Sequence, residues 1–237
     1  HVSNAEKRIA VVTGASRGIG RAAALELARR NWRIIALARS QKALESLDDE
    51  VRALGGEATL IPIDLRDMIA IDALAAPLLE RFGRIDGLAA CAGALGTLTP
   101  VQQIAPAAMD ETITLNYLAN QRLIRALHPL LRASEAGRAV FVTSGAATTP
   151  HAYWGPYSAS KAALDALVKV YAKEVEITPI RANLFSPGPT RTAMRAKAFP
   201  GEDPETLPPP EEVVLQMAPM LEANYTANGE IVRFQRG

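Results

Sequence analysis

Short β-branched or apolar runs alternate with longer amphipathic stretches along the whole chain, and this switching of period constrains the fold more than any other feature. RIAVVTG precedes a helical pattern to Arg30, WRIIALA one to about Leu54, and ATLIPID one through about Phe82. IDGLAACAG precedes a long helical region ending near Leu131, and GRAVFVTSG precedes one through about Val175. IRANLFSPG reads as the sixth strand and GEIVRFQ as the seventh. Strands joined by helices of this length require right-handed crossovers, so the expected class is α/β, a doubly wound, mostly parallel seven-stranded sheet with helices on both faces. The punctuation agrees: Asn31 stands where a left-handed residue would end the first helix, and Gly55-Gly56 end the second. Residues 1–237 read as one domain. Between Pro187 and Pro210 the pattern dissolves into Pro, Gly and charge, which predicts a mobile flap over a site at about 189–210, before Glu211 and Glu212 open a helix through about Leu221.

Composition narrows the functional classes. Twenty-six Lys and Arg balance twenty-five Asp and Glu, and the cations are spread over many helix faces, so nucleic acid is not an expected partner. One cysteine, Cys91, and three histidines argue against a disulfide or a structural metal site and suit a reducing compartment. No run approaches the roughly 20 apolar residues of a membrane span. The expected location is the cytoplasm, with no membrane partner.

Thr13-Gly14-Ala15-Ser16-Arg17-Gly18-Ile19-Gly20 lies where the first strand turns into the first helix. Gly14 permits the turn, and Gly18 and Gly20 let backbone approach a pyrophosphate at the helix N-terminus, where unpaired amides attract anions. This makes the fold Rossmann-type and a dinucleotide the expected ligand. The second strand ends Ala36-Leu37-Ala38-Arg39-Ser40, without the acid that would bond a ribose 2′-hydroxyl. Arg39 and Arg17 instead suit a 2′-phosphate, with hydroxyls of Ser16 or Ser40 beside them, so NADP(H) is favoured over NAD(H).

Tyr157-Ser158-Ala159-Ser160-Lys161 places a phenol and an ammonium four residues apart on one helix face. Ser144, at the carboxyl end of the fifth strand, falls where ligands of open α/β sheets sit. Reducing a ketone needs hydride at carbon and a proton at oxygen. Tyr157 is the candidate acid, and the Lys161 ammonium is expected to pull its phenol below the ordinary value of about 10.

With these motifs in order, the chain resembles the short-chain dehydrogenase/reductase family, in its compact branch of 3-oxoacyl-carrier-protein-reductase-like members, from about Lys7 to Gly188. The resemblance implies a catalytic set of Ser144, Tyr157, Lys161 and Asn116. Ser144 would hold the substrate oxygen, Lys161 would also bond the nicotinamide ribose, and Asn116 would support a relay water. It further implies a carboxylate contact from Asp64, with Leu65 beside it, to the adenine. Backbone approach at Ala92 and Gly93 and a Pro187-Gly188 loop with Thr190 and Thr192 as carboxamide contacts follow from the same likeness. A homo-dimer or homo-tetramer is also implied. Ala90-Cys91 stand where the family commonly has two asparagines, so side-chain bonds steadying neighbouring strands are expected to be missing, with Cys91 a buried packing residue.

His151, Tyr153, Trp154, Met194 and Phe199 are expected to line a pocket for a small-molecule carbonyl or alcohol of some apolar bulk. Two other readings remain open at this point: a non-catalytic dinucleotide-sensing interaction protein, and an epimerase or dehydratase on the same fold.

Overall fold

The computed structural model describes residues 6–237. The strands are β1 (Ile9–Thr13), β2 (Arg33–Ala38), β3 (Glu57–Pro62), β4 (Gly87–Ala90), β5 (Arg138–Val142), β6 (Arg181–Ser186) and β7 (Ile231–Arg233). They form one sheet in the order β3-β2-β1-β4-β5-β6-β7. Every pairing is parallel, so the sheet is more uniform than the expected mostly parallel one. The order reverses direction between β1 and β4, and a crevice opens there beyond the carboxyl ends of the strands.

Alternate residues of each strand feed opposite faces. On one face Val11, Ile35, Leu88 and Phe141 meet Leu123 and Leu127 of α6 (Ala119–Arg132) and Leu164 and Val168 of α7 (Gly155–Glu174). On the other, Ala10, Ile34, Ala36 and Val140 meet Leu25 and Leu27 of α1 (Gly18–Arg29), Leu44 and Leu47 of α2 (Gln41–Ala53), and Val213 and Met217 of α9 (Pro210–Met217). Burial on both faces is why the inner strands read as continuous apolar runs rather than alternating ones.

Three stretches depart from the sequence reading. The helix after β3 is two, α3 (Met68–Asp72) and α4 (Ala75–Phe82). The break before Ala75 leaves Pro77 in a first turn, where its missing N–H costs nothing. The long region before Leu131 is α5 (Pro106–Ile113), a π-helical turn over Thr114–Leu118, and α6. The stretch expected as a plain flap contains α8 (Ala193–Ala198), capped by the Thr192 hydroxyl, which accepts from Arg195 N at 3.2 Å. Asn31 is left-handed as expected, at φ 66°. Glu211 and Glu212 lie in the first turn of α9. Among the described residues no helix is long and apolar enough to cross a membrane.

Candidate active site

The glycine loop is shaped by contacts that a side chain would break. A Cβ on Gly14 would stand 2.9 Å from the Cα of Ala92, and one on Gly20 only 2.2 Å from the Gly14 carbonyl oxygen. The loop is tied to the sheet by Ala15 N, which donates to Leu37 O at 3.1 Å. Arg17 precedes α1 in extended backbone with no side-chain cap, so the first amides of the helix have no side-chain acceptor. The strand ends are not left loose by the missing asparagines. The Thr13 hydroxyl accepts from Cys91 N at 3.0 Å and from Ala92 N at 3.1 Å, clamping β1 to the end of β4. Thr13 is a supporting residue that motif reading passed over, because its partners lie 78 and 79 positions away.

One cleft of about 1340 Å³ runs from this loop across the carboxyl ends of the strands. Every residue assigned to cofactor binding except Ser40 lines it, as do Ser144, Tyr157 and Lys161, whereas the Ser40 hydroxyl caps α2, accepting from Ala43 N at 3.2 Å. At one end stand Arg17, Arg39, Asp64 and a further cation, Arg66. Arg66 Nη2 donates to Asp64 Oδ2 at 2.8 Å, and its backbone N–H donates to Asp64 Oδ1 at 3.0 Å. This holds the carboxyl well down, at about 2, with smaller help from Arg39. The following helix, α3, is capped not by Asp64 but by Asp67, whose carboxylate accepts from Ala70 N at 3.0 Å.

At the other end Lys161 Nζ donates to Val142 O at 2.9 Å and lies 5.8 Å from the centre of the Tyr157 ring. Burial brings Lys161 down to about 8, and it raises Tyr157, against which the neighbouring Ser144 hydroxyl pulls. The expected depression of the phenol is therefore absent: desolvation outweighs the stabilising contacts, and the Lys161 ammonium is committed to a carbonyl. The Ser144 hydroxyl, half-buried, accepts from Ala146 N at 3.2 Å.

Asn116 is fully buried and stands behind the cleft wall rather than on it. Its Oδ1 accepts from Ala94 N, while Nδ2 donates to Ala94 O and to Ser160 Oγ, which in turn donates to Tyr157 O. The π turn places this amide between the Ala94 loop and α7. A Cβ on Gly93 would lie 3.3 Å from Asn116 Oδ1 and 3.4 Å from Lys161 Nζ, so a side chain there would crowd both groups. Cys91 lines the cleft, only partly buried by surface area, but desolvation raises its thiol to about 12, which leaves no reactive thiolate.

Thr190 is buried, with its hydroxyl donating to Gly188 O at 3.1 Å, and Thr192 is occupied in capping α8. Beside Tyr157 an apolar cluster gathers Leu95, Ala146, Trp154, Met194 and Ala198. Trp154 meets Tyr157 edge-on at 5.6 Å. His151, Trp154 and Met194 line the cleft as expected. Tyr153 and Phe199 do not. Tyr153 is left-handed, at φ 73°, and is turned 59% to solvent. Phe199 packs behind, on Trp154 at 5.8 Å and under the Arg195 guanidinium at 3.8 Å.

A switch-point cleft with a glycine cradle at one end and Ser, Tyr and Lys at the other defines a class of dinucleotide-linked enzymes. The chain belongs to the short chain dehydrogenase family, whose model matches residues 8–203. It is 37% identical over 210 residues to the uncharacterized oxidoreductase YciK of Escherichia coli K12, covering 87% of this chain and 83% of that protein. A short chain dehydrogenase structure from Salmonella enterica serovar Typhi superposes with a TM-score of 0.92 at 32% identity, over 96% of this chain and 95% of the other. A structure from Escherichia coli CFT073, complexed with NADPH, does so with a TM-score of 0.90 at 34% identity, over 95% of each chain.

Proposed function

We propose that this chain is an oxidoreductase that transfers hydride between NADP(H) and a small-molecule carbonyl or alcohol, with Tyr157 as the proton donor and acceptor. One observation carries the reading: Tyr157, Lys161 and Ser144 line the same cleft as a glycine loop in which Gly14 and Gly20 have no room for a side chain. The loop suits a dinucleotide, since bare backbone and the uncapped amides of α1 can meet a pyrophosphate. Arg17 and Arg39 suit a 2′-phosphate, and the similar structure holding NADPH supports that preference.

NADPH, when bound, supplies the hydride. Ser144 offers its hydroxyl to the substrate oxygen, and the Tyr157 phenol donates its proton to that oxygen in reduction and recovers one in oxidation. A phenol raised by burial stays protonated at neutral pH, the form that carbonyl reduction requires. Lys161 places positive charge beside the phenol and stabilises any phenolate formed. Asn116 acts as a positioning residue, holding Ala94 and, through Ser160, the backbone of Tyr157. Asp64, Leu65, Ala92, Gly93 and the Pro187–Thr192 turn line the cleft and would flank a bound dinucleotide, while α8 brings Met194 to the apolar cluster beside Tyr157.

Tyr157→Phe is the test. Turnover with a panel of ketones, aldehydes and acyl thioesters, followed as NADPH absorbance, should fall by about 10²–10⁴-fold while NADPH binding is kept. Undiminished turnover in the mutant refutes the role of Tyr157. The reading extends to a cytoplasmic homo-dimer or homo-tetramer, supported by the near absence of cysteine and by family likeness, and light scattering tests the assembly.

A further inference from the structure

Arg66 is required neither by the proton transfer nor by the glycine cradle, yet it lines the adenosine end of the cleft with Arg17 and Arg39. Its grip on Asp64 is unusually complete for a pair about two-fifths exposed: Nε donates at 3.1 and 3.3 Å, Nη2 at 2.8 Å, and the backbone N–H at 3.0 Å. Exposed ion pairs contribute little to stability, so the arrangement calls for another reason. The only other carboxylate near the guanidinium among the described residues is Glu111, at 3.8 Å.

Asp64 poses a problem for the NADP(H) reading. It stays ionised at any working pH, feels the Arg39 charge only weakly and forms no ion pair with it, and lines the same cleft. An uncompensated carboxylate there would repel an incoming 2′-phosphate and offset part of the positive charge that Arg39 offers it.

We propose that Arg66 is a cofactor-specificity residue: by neutralising Asp64 at the mouth of the adenosine subsite, it leaves Arg17 and Arg39 to a nucleotide 2′-phosphate. The proposal rests on the NADP(H) reading and adds a residue to it. Arg66 acts through Asp64, so the two substitutions must be coupled.

The test is equilibrium titration of the wild type, Arg66→Ala, Arg66→Lys, Asp64→Asn and the Asp64→Asn/Arg66→Ala double variant with NADPH and NADH, and with 2′,5′-ADP and 5′-AMP. The readout is the affinity ratio between 2′-phosphorylated and unphosphorylated ligand. Any Asp64 contact to adenine affects both members of each pair equally and cancels in that ratio. Arg66→Ala should lower the ratio about 10-fold, the scale of one unpaired charge at a partly exposed rim. Arg66→Lys should retain most of it, and the double variant should recover it. An unchanged ratio in Arg66→Ala overturns the proposal. Failure of the double variant to recover overturns action through Asp64. A wild type with no preference for the phosphorylated ligands overturns the NADP(H) reading as well, so the two failures are distinguishable.

Discussion

At Gly20 the local geometry leaves no room for any other residue. A methyl there would meet the Gly14 carbonyl oxygen at 2.2 Å, an approach that backbone cannot relieve without moving the loop. Gly145 offers the contrast, because nothing lies within 4 Å of its would-be Cβ. Gly20→Ala is expected to destabilise the fold by about 1–3 kcal/mol and to weaken NADPH binding by at least about 10-fold. Gly145→Ala should change stability by only about 0.5 kcal/mol. Urea denaturation and NADPH titration of both variants check the pair. Equal effects would mean that the loop adapts and that its shape does not depend on glycine. This residue was legible in the sequence because its cause is local, a turn after a strand. Thr13 and Arg66 were not: the first is defined by the end of β4 far along the chain, and the second by the use made of Asp64.

The same distinction holds for whole elements. Strand positions, the left-handed Asn31 and the acidic start of α9 follow from patterns within a few residues, and the structure places them where the pattern does. The π turn at Thr114–Leu118 has no such signature. Thr-Leu-Asn-Tyr-Leu would serve in an ordinary helix, and the turn is coupled instead to the bonds of Asn116 with Ala94 and Ser160. α8 was hidden for a related reason: its apolar residues face the Trp154 cluster of another segment, so Pro and charge around it dominated the reading. Asn116→Ala would leave both backbone groups of Ala94, at the partly buried wall of the cleft, without their side-chain partners, and would remove the donor to the buried Ser160 hydroxyl. The expected cost is about 1–3 kcal/mol, from polar groups that lose their partners. Denaturant midpoints measure it, and hydrogen exchange at Ala94 should accelerate in the variant. A variant as stable and as protected as the wild type would show that the amide is not what holds the loop to the helix.

Across the molecule, the candidate active site sits at stability's expense, because a cation is kept inside the core. Lys161 is 4% exposed, and burial brings it down to about 8 from an ordinary 10.5. The counter-charge nearest in effect is Asp165 of the same helix, itself raised by burial and bonded to the Thr143 hydroxyl. Because the folded state holds the Lys161 proton less tightly than an unfolded chain would, folding should gain from this residue as pH rises from about 8 to 10.5, and gain nothing further above that. Three tyrosines, two buried and one partly buried, act in the opposite sense higher up. Tyr157, Tyr171 and Tyr225 are all raised above 10, so above that pH the unfolded chain ionises first and stability is lost. Maximum stability is therefore expected on the alkaline side of neutrality. Lys161→Met removes the buried charge while keeping most of the side-chain bulk. At pH 7 it should be more stable than the wild type by roughly 2–3 kcal/mol, less whatever the lost bond to Val142 O contributes, and it should have lost turnover. That advantage should shrink between pH 8 and 10, when both proteins are unfolded in urea at each pH. An advantage that does not change with pH would mean that Lys161 is not a strained cation in the folded state, and that the gain from Met comes from packing rather than from removing a charge.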